Sequence, residues 1–183
     1  MQALMIIDMQ NDFVDHGGRA LVAQAAQTVP TIAALLAHWR QQQWPVIHVI
    51  RSHQADGCDS ERFRRHAPVC VANTWGALPY PSLAPLADEM VLIKTRFSAF
   101  YNTELAQYLA ANGISDIAIT GTQLPNCVRG TAADGLYRDL DISVVTDACS
   151  AQNQAVASAN LQDLENMGAR LIHSSALLAP DQN

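Results

Sequence analysis

The run Ala3-Leu4-Met5-Ile6-Ile7, closed by Asp8, decides how the rest of the chain is read. Five consecutive apolar residues without alternation mark a strand covered on both faces, the pattern of parallel sheets whose crossovers lay helices on either side. Runs of the same kind occupy residues 46–50, 90–93, 117–120, 142–145 and 169–172. Helical patterns separate them. Residues 28–43 carry Ile32, Leu35, Leu36 and Trp39 at spacings of three and four. Residues 102–111 end at Asn112-Gly113, residues 127–136 follow, and residues 154–166 stop before Gly168. Strand and helix alternate throughout, which predicts a three-layer α/β fold with a six-stranded, mainly parallel sheet flanked by helices. The 183 residues show no repeat, low-complexity tract or linker, so residues 1–183 read as a single domain. Residues 51–85 break the rhythm with Arg62, Arg64, Arg65, His66 and four prolines (Pro68, Pro79, Pro81, Pro85). A long excursion inside a compact domain usually serves function.

Composition narrows the classes. Apolar residues make up 49% of the chain and charged residues 15%, against about 25% in ordinary soluble domains, which excludes a disordered polyelectrolyte. A net charge of -6 argues against nucleic-acid binding through a basic face. No run approaches the roughly 18 apolar residues of a membrane span, and the start lacks the basic region of a signal peptide, so the expected location is cytoplasmic. The four cysteines, Cys58, Cys70, Cys127 and Cys149, form no Cys-x-x-Cys pair, so neither a zinc site nor a disulfide scaffold is indicated.

In open α/β sheets chemistry gathers beyond the carboxyl ends of the strands. Asp8 follows the first apolar run, Lys94 the third, and Gly121-Thr122-Gln123-Leu124-Pro125-Asn126-Cys127 the fourth. Each residue alone has an ordinary reading: a turn cap, a solvated ammonium, a small buried hydrophobe. Cys127 stands apart because it opens a helical pattern, where the macrodipole favours a thiolate. Other constellations fail. The chain has no G-x-G-x-x-G after its first strand, no Walker loop and no G-x-S-x-G elbow.

Taken in order, D-M-Q-N-D-F, V-L-I-K-T-R-F-S-A-F, T-G-T-Q-L-P-N-C-V-R-G-T-A-A-D-G and S-V-V-T-D-A-C-S resemble the isochorismatase-like cysteine hydrolases over nearly the whole chain. The resemblance implies their Rossmann-like fold and a catalytic triad of Asp8, Lys94 and Cys127. Cys127 is then the nucleophile and Asp8 the base. The resemblance also implies a cis peptide between Thr122 and Gln123, an oxyanion hole built from the N–H groups of Gln123 and Cys127, and assembly as a homodimer or homotetramer.

The implied activity is cleavage of a C–N bond in a small amide or ureide through a thioester. An isochorismatase-type vinyl-ether hydrolase and a non-catalytic member that binds a ligand or partner are the alternatives, both disfavoured by the intact triad. Nicotinamidases of this family bind a metal through an Asp-x-His after the second strand. Here that stretch is Arg51-Ser52-His53. A guanidinium repels a cation, so no metal and no cofactor are expected. The substrate pocket is expected to draw on Phe13, Trp75, Phe97, Phe100 and Tyr101, with Arg62 and Arg64 as anchors for a carboxylate; His53 is a further candidate.

Overall fold

Six strands, β1 (Gln2–Ile7), β2 (Val46–Arg51), β3 (Met90–Lys94), β4 (Asp116–Thr122), β5 (Asp141–Ser150) and β6 (Arg170–Ile172), form in a computed structural model that describes residues 2–179. They make one sheet in the order β3-β2-β1-β4-β5-β6, and every neighbouring pair is parallel. Among the described residues six α-helices accompany them: α1 (Asn11–Val14), α2 (Ala25–Gln41), α3 (Leu105–Ala111), α4 (Arg129–Leu136), α5 (Gln154–Asn166) and α6 (Ser174–Leu178). Among the described residues no helix is long and apolar enough to cross a membrane.

The unbroken apolar run of β1 has the physical cause expected of it. Ala3, Met5 and Ile7 enter one core with Leu105 and Leu109 of α3, Ala132 of α4 and Leu164 of α5. Leu4 and Ile6 enter a second core with Ile32, Leu35, Leu36 and Trp39 of α2. Full burial of each large apolar side chain contributes about 1.5–3 kcal/mol, and a polar residue on a covered strand needs a partner, as Thr120 of β4 has in the Met5 carbonyl at 3.1 Å. The edge strand β3 departs from this pattern. Leu92 is fully buried while Val91 and Ile93 are 39% and 51% exposed, because one face of the edge is left open.

Several boundaries differ from the sequence reading. α2 begins at Ala25, three residues before residue 28, with Pro30 inside its second turn. β5 runs past Val145 to Ser150, because its pairing with β4 resumes after an irregularity, at Gly121 with Cys149 and Thr122 with Ser150. The excursion after β2 contains three short 3₁₀ turns, Arg62–Arg64, Trp75–Ala77 and Pro81–Leu83. It is tied to the sheet by the buried Gln10, whose Nε2 donates to the carbonyls of Arg51 (2.8 Å) and Ala77 (2.7 Å).

From β1 the chain builds outward through β2 to β3, then returns to the other side of β1 as β4. Connections leave β1 and β4 in opposite directions, and the crevice between them lies at the strands' carboxyl ends. Asp8 leaves one of these strands and the segment ending in Cys127 leaves the other.

Candidate active site

Three adjacent strand ends set the charges. Asp8 follows β1 in the left-handed region (φ 52°), which Asp tolerates better than most residues, and its N–H donates to the Val49 carbonyl at 2.9 Å. Lys94 and Arg51, paired in register at the ends of β3 and β2, both turn toward the Asp8 carboxylate. Lys94 Nζ donates to Asp8 Oδ2 at 2.7 Å and to the Arg96 carbonyl at 3.1 Å. Arg51 Nε lies 3.8 Å from the same Oδ2. All three side chains are buried, and Asp8 Oδ1 has no hydrogen-bond partner.

The thiol arrives from the neighbouring strand. Gly121 pairs with Ile7 in register at φ 111°, and a Cβ there would sit 2.1 Å from the Ile7 carbonyl oxygen. Only glycine permits this contact between backbones, which sets the next residues beside Asp8. The Thr122–Gln123 peptide is cis. Residues Leu124–Val128 form one π-helical turn before α4, with the N–H of Asn126 donating to the Gln123 carbonyl at 3.0 Å. Cys127 is therefore carried on a tight turn ahead of α4 and not within its first turn. Its Sγ accepts from Arg51 Nη2 at 3.7 Å.

The electrostatics of the thiol reverse the expectation drawn from a helix start. Burial pushes the Cys127 thiol above its ordinary pKa, and the Asp8 charge pushes it further, while Lys94 and Arg51 pull it down without prevailing. The resting group is a thiol facing a carboxylate, with two cations ready for the charge that appears once the proton moves.

Arg51 is the charged residue at this site that the sequence reading undervalued. Its side chain is almost wholly buried; Nη1 donates to Glu61 Oε1 at 2.7 Å and meets His53 Nε2 at 3.2 Å, and the guanidinium lies over the Phe97 ring. Burial works against its charge, but Asp8, Cys127 and Glu61 raise its pKa overall. Glu61 is held below the usual carboxylate range, its burial outweighed by Arg51, and His53 is lowered by burial and by Arg51. The signal was present: the end of residues 46–50, read as the other strand ends were, points to Arg51.

Above these groups opens a cavity of about 260 Å³, small beside the roughly 300–1,000 Å³ of drug-sized sites. Asp8, Arg51, Thr122, Gln123 and Cys127 lie in its lining, together with Phe13 and Phe97. Residues 2–176 match the isochorismatase domain family. The chain belongs to the isochorismatase family.

This isochorismatase-family chain is 49% identical to an isochorismatase family protein of Desulfovibrio vulgaris, whose crystal structure superposes with a TM-score of 0.93 over 96% of this chain and 95% of that one. It is 32% identical to the N-carbamoylsarcosine amidase of Thermoplasma acidophilum, with a TM-score of 0.82 over 94% and 96% of the two chains. Among curated sequences it is 35% identical to a protein of Arabidopsis thaliana described as a probable inactive nicotinamidase, over 92% of this chain and 90% of that one. Its relatives thus include amide hydrolases within a hydrolase family.

Within this family setting the expected substrate residues divide. Phe13, Phe97 and Arg64 line the cavity; Trp75, Phe100, Tyr101 and Arg62 lie outside its lining. Phe100 is consumed by the core beside α3. Trp75 is half-exposed on a 3₁₀ turn near Gly17, and Tyr101 is half-exposed near the Arg96 guanidinium. Arg62 is exposed at the start of the turn whose other end, Arg64, reaches the cavity. The lining is completed by residues that include Arg19, Leu21, Val22 and Gln152, in connecting segments that carry no motif. A metal of the nicotinamidase kind does not fit the residues after β2. The Arg51 guanidinium stands where the first ligand is needed, and His53 is engaged by Arg51 and, at 3.3 Å, by Asp59.

Proposed function

We propose that this hydrolase cleaves the C–N bond of a small amide or ureide, with Cys127 as nucleophile and a thioester as intermediate. The observation that carries the reading is the setting of the Cys127 sulfur. It lies on the wall of a small cavity, faces a carboxylate with one unpartnered oxygen, and is flanked by the Arg51 cation. A buried thiol with its own base and a counter-charge is equipped to attack a carbonyl carbon.

Each step has an assigned group. The thiol proton passes to Asp8 Oδ1 while Lys94 keeps Oδ2 fixed. As the S–C bond forms, the carbonyl oxygen becomes an oxyanion. The N–H groups of Gln123 and Cys127 serve as its donors, each worth about 2.7–4 kcal/mol if aimed at that oxygen. Asp8 returns the proton to the nitrogen, because an amide nitrogen leaves poorly as an anion, and the C–N bond breaks. Water then attacks the thioester, with Asp8 taking its proton. The acid product leaves, and the thiolate regains the proton from Asp8.

Incubation with a panel of small amides and ureides, with ammonia release and intact mass both recorded, tests the reading. Turnover with a trapped acyl adduct on Cys127, and loss of both in Cys127→Ala, is the expected result. Full turnover by Cys127→Ala refutes the thiol mechanism. Hydrolysis of a vinyl ether alone, or binding without turnover of any panel member, assigns the fold another role.

A further inference from the structure

Where β1 turns aside, a side chain takes its place in the sheet. β1 pairs with β2 up to Ile7 opposite Val49, and the Asp8 N–H still donates to the Val49 carbonyl at 2.9 Å. An unbroken parallel ladder would continue with the Arg51 N–H donating to the Asp8 carbonyl and the Gln10 N–H donating to the Arg51 carbonyl. The left-handed turn at Asp8 (φ 52°) takes the chain out of this ladder, and the Gln10 N–H donates to the Asp8 carbonyl at 2.8 Å instead. The Gln10 side chain supplies both missing bonds. Its Oε1 accepts from the Arg51 N–H at 2.8 Å, and its Nε2 donates to the Arg51 carbonyl at 2.8 Å. Gln10 is fully buried, and Nε2 also donates to the Ala77 carbonyl at 2.7 Å. One amide thus fixes the main chain of Arg51, while Glu61 Oε1 holds its guanidinium at 2.7 Å.

We infer that Gln10 is a positioning residue for the thiol chemistry: its side-chain amide stands in for the backbone that β1 withdraws, and holds the end of β2 so that the Arg51 guanidinium reaches the Cys127 sulfur. The inference rests on the proposed thiol mechanism and on Arg51 as the counter-charge within it. The turn that carries the Asp8 carboxylate and the strand end that carries the cation are then joined through a single residue. A glutamate carboxylate has no hydrogen to give the Arg51 and Ala77 carbonyls, and an alkyl side chain leaves three backbone groups without this partner. Asp8, Lys94 and Arg51 are the charges that act on the Cys127 thiol, and of these side chains Arg51 is the one whose main chain the Gln10 amide binds. Distance matters steeply at this range. Lengthening the 3.7 Å separation of Arg51 Nη2 and Sγ by about 1.3 Å, at an effective dielectric of about 20, moves a thiol pKa by about one unit.

The test is a mutant cycle read by the pH dependence of Cys127 alkylation with iodoacetamide, followed by the mass of the Cys127 peptide so that the exposed Cys58 does not intrude. In this reaction the sulfur bonds to the methylene carbon and iodide leaves with the C–I electron pair. The cycle compares wild type, Gln10→Met, Arg51→Met/Glu61→Gln and the triple variant. In Gln10→Met the midpoint of the profile rises by about one unit, and below it the rate falls about tenfold. Adding Gln10→Met to Arg51→Met/Glu61→Gln moves the midpoint no further, because the cation that Gln10 holds is gone. A folded Gln10→Met whose profile overlays wild type overturns the inference. An equal shift in both backgrounds overturns it too, and assigns Gln10 to packing or to its bond with Ala77. An unmoved profile in Arg51→Met/Glu61→Gln removes the counter-charge and this inference together, and leaves the thiol mechanism standing. Failure of iodoacetamide to modify wild-type Cys127 at any pH removes the thiol reading and with it this one. If Gln10→Met does not fold, Gln10→Asn takes its place in the cycle with the same outcomes: it keeps a buried amide but withdraws it by about 1.5 Å, out of hydrogen-bond reach of Arg51.

Discussion

Removing the Arg51 charge should raise the pKa of the Cys127 thiol. A unit positive charge 3.7 Å from the sulfur, at an effective dielectric of about 20, stabilises the thiolate by about 4 kcal/mol, or about three pKa units. Water entering the vacated space takes back part of this, so a rise of about one to three units is expected. Arg51→Met alone also leaves Glu61 buried without its partner, and breaking a buried pair costs about 3–5 kcal/mol of stability. Arg51→Met/Glu61→Gln avoids the orphaned charge and is the variant to measure, with Glu61→Gln as its control. The assay is the pH dependence of Cys127 alkylation by iodoacetamide, followed by peptide mass. Below the thiol pKa the rate should fall about 10- to 1,000-fold at fixed pH, and the profile should move to higher pH by the same margin. A folded double variant whose profile overlays the wild type refutes the idea that Arg51 is the counter-charge of the thiolate.

Three further outcomes follow from the geometry. Asp8→Asn preserves the shape of the carboxylate but removes the base, and steady-state turnover of any accepted amide should drop about 10²–10⁴-fold. Gly121→Ala places a Cβ 2.1 Å from the Ile7 oxygen at φ 111°, so its urea midpoint should fall by the equivalent of at least about 2 kcal/mol, with Cys127 reactivity lost in the folded fraction. Glu89 is held down at about 2, its burial outweighed by hydrogen bonds from Arg40, the Leu86 N–H and His48. A depressed carboxylate stabilises the fold fully above its ordinary value of about 4.5, and that contribution fades as pH falls toward 2. Acid unfolding of Glu89→Gln should accordingly show a shallower loss of stability across that window.

How much of this was legible beforehand depended on whether a residue's role is local. The doubly covered strands announced themselves, since the consecutive apolar residues Ala3 to Ile7 face two cores. Asp8, Lys94 and Cys127 were singled out because strand ends mark one edge of the sheet, and the structure brings all three together there. Arg51 was read only as an obstacle to a metal. Its position beside the sulfur needs β2 between β1 and β3, an order that spacing along the chain does not encode. The aromatic candidates divided for the same reason: Phe97 and Phe100 lie three residues apart, yet one lines the cavity and the other fills a core.

By itself, then, the sequence determined the α/β class, the strands and the chemical groups at their ends, because burial on two faces and turn chemistry are written into consecutive residues. The tertiary structure decided what those groups do to one another. It buried the thiol against a carboxylate, raising its pKa where a helix start alone would lower it. It also placed an arginine within reach of the sulfur and walled the cavity with residues from motif-free connections. Electrostatic energies depend on distance and desolvation in three dimensions, and both quantities exist only once the strands have been laid side by side.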